Sequence, residues 1–366
     1  MPIQLSAPIG VISADAVLRI DGEDQPELNA GLLSVLVEET TTGLFRCEAR
    51  FGNWGTRGRG VDYLYFDRRL IDFGKILTVH LGAGDGEGEV FSGRISAIEG
   101  QFSATEPPSI IVLAEDRLQD LRMTRRSRVF EEMTDADAFR QIAGEHGLQG
   151  EIDADGPVHQ LLAQVNQSDL AFIRERARWL DADIWVAGQT LHVQKRARRS
   201  QSSDDLTLTL GQGLLEFSVT ADLANQHTAL VVSGWDVAAK DQLSYTADDS
   251  TLGAELGGDA SGASILQGAL GERVDRLVHH VPLTGAEAQA LAEAAFRAQA
   301  RRFVYGTGLA NGDARLRAGM RVLMNGLGAL FDGAYIICEA RHIYARQAGG
   351  GYHTEFVVER SGLGRP

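Results

Sequence analysis

The sequence predicts a mainly β protein with α+β insertions, in which two β-barrels flank a small α/β linker. Three observations predict it. Apolar residues alternate with polar ones at period two through both ends of the chain, glycine-rich turns separate these runs, and a strong helix-plus-hairpin pattern interrupts them at 164–195. At 366 residues with 44% hydrophobic side chains, the chain is long enough for two or three cored units.

In the first unit, 16–22, 32–37 and 44–51 read as strands. The third is the clearest, with Phe45, Cys47, Ala49 and Phe51 on one face and Arg46, Glu48 and Arg50 on the other. A glycine-rich loop at 52–60 follows. Trp54, Arg57, Arg59, Tyr63 and Tyr65 in and beside it either pack under the barrel or form a contact surface for a neighbouring subunit, since aromatics and arginine are enriched at interfaces. Strands resume at 76–81, 90–95, 98–102 and 110–114. The run Gly82-Ala83-Gly84-Asp85-Gly86-Glu87-Gly88 lacks both phosphate-loop spacings and leads into a strand where a phosphate site needs a helix, so it reads as a hairpin turn. This unit closes near Asp116.

Residues 117–203 read as the linker. Arg117, Arg122, Arg125, Arg126 and Arg128 form a basic run, either a solvated face or a match to an acidic patch on a partner. Thr134-Asp135-Ala136-Asp137 opens a helix whose apolar face is Phe139, Ile142 and Ala143. Ser168 caps a second helix, with Leu170, Ile173, Ala177 and Leu180 on one face and Arg174, Arg176 and Arg178 on others. Phe172 and Trp179 either anchor that helix against a barrel or pack locally on the hairpin 183–186/190–193. A second basic cluster at 195–199 leads into a polar linker at 200–205.

From 204 the pattern is β again. Leu206, Leu208 and Leu210 alternate with threonine, Ala229–Asp236 reads as a buried strand of the second barrel, and a helix-bearing insertion occupies about 237–303. Within it, 247–272 is rich in Gly, Ala, Ser and Asp and reads as flexible, while Thr284 and Glu287 form a capping pattern ahead of an alanine-rich helix to about Arg302. The remainder, to 366, returns to strands. The units are thus expected at 1–116, 117–203 and 204–366.

Asn166-Gln167-Ser168-Asp169-Leu170-Ala171-Phe172-Ile173 with the aromatic-containing strand and the Thr190-Leu191-His192-Val193 strand after it, Gly319-Met320-Arg321-Val322, Phe331-Asp332-Gly333-Ala334-Tyr335, His342 and Gly351-Tyr352-His353-Thr354 occur in an order that resembles the phage late control protein D family. Members are central hub proteins of contractile phage tails and related injection systems, and the hub part of the type VI secretion spike protein is similar to them. The resemblance implies two tail-tube-like barrels per chain and a homotrimer that matches a hexameric inner tube to a trimeric spike around a channel. It further implies, as partners, the inner tube protein, the spike protein, baseplate wedge proteins and a DNA or protein cargo passing through without specific binding. Assembly into a virion tail or injection-particle baseplate follows from the same resemblance, while synthesis in the bacterial cytoplasm is expected from a sequence that shows neither a signal peptide nor a transmembrane stretch.

Composition bounds the rest. A formal charge of −15 argues against a nucleic-acid-binding surface, because phosphate contact needs concentrated Lys and Arg. Nowhere do about 18 apolar residues run together, so no transmembrane helix is expected, nor is a signal peptide. Cys47 and Cys338 read better as buried thiols than as a disulfide. Cys338, His342 and His353 lack the spacing of a metal site, His279-His280 is equally unsupported, and no nucleophile elbow or paired catalytic carboxylates are visible. The chain is therefore expected to have no catalytic residue, cofactor or metal; a tip-associated cell-wall hydrolase and a carbohydrate-binding adhesin sandwich are the competing expectations.

Overall fold

The structure, a computed structural model, describes residues 15–200, 206–236, 239–278, 282–346 and 350–365. The expected polar linker at 201–205 and the histidine pair at 279–280 lie outside the described residues.

The first unit contains β1 (Asp15–Ile20), helix α1 (Pro26–Gly31), β2 (Leu32–Thr40), β3 (Arg46–Gly52), β4 (Ile76–Gly82), β5 (Gly88–Gln101) and β6 (Ser109–Glu115). Their order is β1-β4-β5-β6-β3-β2, antiparallel throughout. Alternation buries Leu18, Val35, Val37, Ala49, Phe51, Val79 and Val112 in one apolar cluster. Among the described residues the ladder does not close on itself, because β1 and β2 do not pair. Helix α1 bridges that gap instead, and Leu18 N donates to Asn29 Oδ1 at 2.8 Å.

The second barrel does close. It uses β12 (Leu206–Leu210), β13 (Gly213–Ala221), β17 (Val304–Asn311), β18 (Arg321–Asn325), β19 (Gly333–Ala345) and β20 (Gly351–Arg360), which form a ring in the order β19-β18-β12-β13-β17-β20 and back to β19. Leu214, Val304, Val322, Tyr335, Ile337 and Val358 fill it. Strand β19 is long enough to serve twice: its far half also pairs with β2, from Glu339↔Thr40 to Ala345↔Ser34. One continuous 13-stranded sheet therefore runs through both barrels.

Between them lie β7 (Arg125–Thr134), α2 (Asp135–Glu145), β8 (Gln149–Asp153), β9 (Val158–Ser168), α3 (Asp169–Trp179), β10 (Ala182–Ala187) and β11 (Thr190–Lys195). Both helices start as expected. Thr134 and Asp137 make a reciprocal capping box, and Ser168 accepts from Ala171 N. Phe139, Ile142, Phe172, Ile173 and Leu191 form the core of this unit.

Two expectations for the C-terminal half are corrected. Strand β14 (Ala229–Asp236) does not join the second barrel; it pairs with β15 (Asp241–Asp248) and β16 (Val274–Leu277) in a separate three-stranded sheet. A fourth apolar cluster forms where α5 (Gly285–Ala300) supplies Ala288, Ala292 and Phe296 to this sheet. The stretch 247–272 is likewise ordered: it contains two 3-10 turns and helix α4 (Gly262–Leu270), with Leu252, Ala263 and Leu266 buried. Its small residues serve close approach. A Cβ on Gly262 would lie 2.6 Å from the Phe303 ring.

Candidate functional site

The predicted surface residues fall on a hairpin, Trp54–Arg57 paired with Gly60–Tyr63, that projects from the first barrel. Asn53 holds its base: this buried side chain accepts from Leu64 N and Tyr65 N at 3.0 and 2.8 Å. Trp54 and Tyr63 meet edge to face at 5.3 Å, and Tyr63 also contacts Phe66 and Phe102 at 5.0 and 6.1 Å. Trp54 is 47% and Phe102 64% exposed, so the four rings form an apolar patch in water. Arg57 pairs with Asp67 beside it, and Arg59 is exposed at the tip.

Tyr65 does not belong to the patch. Only 4% exposed, it packs on Phe51 and donates to Glu27 O at 3.1 Å, which removes it as a surface candidate. Phe102 was missed in the sequence because only the strand pairing brings it beside Phe66, 36 residues earlier in the chain.

Phe172 and Trp179 separate. Phe172 is buried in the linker core and stacks on Phe130 at 5.6 Å, with Leu44 of the first barrel in the same cluster. Trp179 is half-buried, carries the Arg176 guanidinium over its ring at 4.3 Å, and lines a pocket of about 190 Å³ shared with Pro282, Leu283 and Leu291 of the inserted unit.

The arginines expected either on a solvated face or against a partner's acidic patch, and those on the other faces of α3, are mostly engaged within the chain. Arg176 is 9% exposed and donates to Asp135 from both Nε and Nη2. Arg128 binds Glu145 and Asp169, and Arg122 binds Glu115. The basic run thus answers acids of its own chain. What the sequence did not reveal is that charged side chains cross the seams between apolar units. Arg174 donates to the Thr42 and Gly43 carbonyls of the first barrel. Arg317 of the second barrel meets buried Glu39 of the first at 2.5 Å. Arg196 joins Asp183 to Glu359 of β20 at 3.0 and 2.7 Å. Arg301 joins Asp181 to Glu255.

His159 ties the linker to α5, with Nε2 3.0 Å from Asp135 and Nδ1 2.8 Å from Glu287. Burial alone lowers its pKa, but hydrogen bonds to the two carboxylates outweigh that and raise it to about 9. His342 is the reverse case. Burial, aided by Arg317, lowers it to about 3, and it stays neutral against the Tyr352 hydroxyl at 2.7 Å.

Both cysteines are free, and burial pushes the Cys338 thiol up to about 12, away from nucleophilic reactivity. No group of three potential ligands that could hold a metal occurs among the described residues. None of the described helices is long and apolar enough to cross a membrane.

Comparison with known proteins adds a family. The model described as the Alg8 N-terminal domain matches residues 62–345, more than half of the chain. The chain belongs to the Alg8 N-terminal domain family. Among solved structures, this family member shares its fold with the 43 kDa tail protein of prophage MuSo2 from Shewanella oneidensis, at TM-score 0.69 and 12% identity over 95% of this chain and 98% of that one. A tail protein of Neisseria meningitidis MC58 gives 0.65 and 13%, covering 95% and 97%. The Escherichia coli c3393 protein, a component of the type VI secretion system, gives 0.56 and 14%, covering 95% and 79%. No curated protein sequence matches. The family member is therefore mainly β, with a closed six-stranded barrel and a tail-protein fold.

Proposed function

We propose that this Alg8 N-terminal domain family member is a non-enzymatic structural hub of a contractile tail or injection particle. It would act as a homotrimer joining a hexameric inner tube to a trimeric spike. The observation that carries the reading is the fusion of the open six-stranded first unit to the closed second barrel, through β2 and β19, into one sheet. Two tube-like modules held side by side in each chain let three chains present six modules around an axis, and a closed ring gives exposed strand edges somewhere to pair. The resemblance to late control protein D and the tail-protein fold support the same reading. The unit boundaries at 116 and 203, the patch of Trp54, Arg57, Arg59 and Tyr63 as a subunit interface, and contact with wedge proteins belong to this proposal. So do synthesis in the bacterial cytoplasm, assembly into a virion tail or injection-particle baseplate, and a net-negative channel that passes cargo without holding it.

Mass measurement of the purified assembly tests it. A trimer is expected; a stable monomer across micromolar concentrations, or a ring of another order, overturns it.

A further inference from the structure

A polar groove of about 670 Å³ runs along the boundary between the second barrel and the inserted unit, a size ordinary for ligand sites. Several segments meet there and supply its polar lining. Asp222 follows β13, with Asn225 in the loop after it, and Asp275 lies on β16. Gln299 and Arg302 sit at the end of α5 and just beyond it, and Tyr305 lies near the start of β17. None of these six side chains takes part in the charged seams described above.

Three of them are held in place with an acceptor left over. Ala224 N donates to Asp222 Oδ1 and Arg276 N to Asp275 Oδ1, each at 2.8 Å, so the backbone fixes both carboxylates while each Oδ2 has no donor among the described residues. Gln299 Nε2 donates to Asn225 O at 2.7 Å and lies 2.5 Å from His227 Nδ1, which leaves Gln299 Oε1 free. The other three are unfilled. Among the described residues, the Arg302 guanidinium, the Asn225 amide and the Tyr305 hydroxyl have no hydrogen-bond or ion-pair partner, and Tyr305 is 45% exposed. The groove thus offers fixed acceptors, unused donors and one aromatic face.

We propose that this groove binds a neutral saccharide. A sugar hydroxyl both donates and accepts, so it can bridge a carboxylate oxygen to a guanidinium or amide N–H and use both. The C–H face of a pyranose fits the negative face of the Tyr305 ring. Anions fit poorly, because the carboxylates of Asp222 and Asp275 outnumber the one guanidinium. A metal ion fits no better: Arg302 stands in the same groove, and no group of three potential ligands occurs among the described residues. This site does not depend on the hub reading, since assembly is read by mass and the groove by ligand binding.

The test is saturation-transfer NMR on the full-length protein with mono-, di- and trisaccharides of glucose, galactose, mannose and N-acetylglucosamine. Saturable transfer to at least one series is expected, with binding weakened about tenfold or more in Tyr305→Ala and in Arg302→Gln. Both residues are exposed, so neither change should unfold the chain. Equal affinity for mono- and trisaccharide marks a free sugar as the ligand, and affinity rising with length marks a glycan chain. Absence of transfer to every series overturns the proposal. So does transfer that survives both variants unchanged, or that is lost in Trp54→Ala, whose ring lies on the separate hairpin patch.

Discussion

The interiors of the barrels and the seams between units are built from opposite chemistry. Inside, Leu18, Val37, Phe51 and Val79 in one barrel and Val322, Tyr335 and Ile337 in the other bury apolar surface with almost no charge. At the seams, Glu39 with Arg317, Asp181 with Arg301, Asp183 with Arg196 and His159 with Glu287 bury charge against charge. Apolar packing is permissive about which hydrophobic side chain fills a site, whereas a bidentate guanidinium accepts one geometry. The difference teaches that here cohesion within a unit and placement between units are separate problems. Charge addresses the second.

The comparison breaks most visibly at Arg301. Arg301→Met strips buried Asp181 and half-buried Glu255 of this partner and is expected to cost about 3–5 kcal/mol, read as a lowered urea midpoint. Replacing all three groups with apolar residues should recover most of that loss. If it does not, the seam depends on the ion pairs themselves and not on the cost of breaking them.

A core substitution gives the contrasting case. Phe172→Ala removes a ring that is 2% exposed and should cost about 3 kcal/mol at every pH from 6 to 9, because no ionisable group is involved. An unchanged midpoint would place that side chain outside the core.

At His159 the seam should respond to pH as the core does not. Its pKa is raised in the fold to about 9 from an ordinary 6.5, so its contribution is complete below about pH 6.5 and is lost as pH rises through 9. Asp135, Glu287 and Arg176 face it. The full span is worth about 3 kcal/mol, and His159→Gln should flatten the midpoint-versus-pH curve between 6.5 and 9.5. A variant with the same slope as the native protein removes His159 as the titrating group.

Smallest in stability is the exposed patch. Trp54→Ala is expected to change stability by less than about 0.5 kcal/mol. It should nonetheless lower the fraction of assembled protein in a mass measurement. A large stability loss with intact assembly would mean the ring packs within its own chain.

This contrast also explains what was legible in the sequence. Barrel strands were readable because one face is buried, so Phe45, Cys47, Ala49 and Phe51 alternate whatever their partners are. The caps at Thr134 and Ser168 were readable because they act within three residues. Partner choice was not, and so β14 was placed in the wrong sheet: a buried apolar strand reads the same in either. The stretch 247–272 looked flexible because Gly262 and Ala263 carry little side chain, yet smallness is what lets α4 lie against Phe303. The partner of Arg176 was not legible because Asp135 is 41 residues away. Of the predicted patch, Trp54 and Tyr63 stand together and Tyr65 does not, because Asn53 turns the chain inward between them.

The sharing of β19 also has a temporal side. Its partner β2 is synthesised some 300 residues earlier, so at the ribosome the N-terminal barrel waits with a bare edge until nearly the whole polypeptide has emerged. Such a chain is most vulnerable to pairing with a stranger before it is finished, and the last strands to appear are the ones that end the danger.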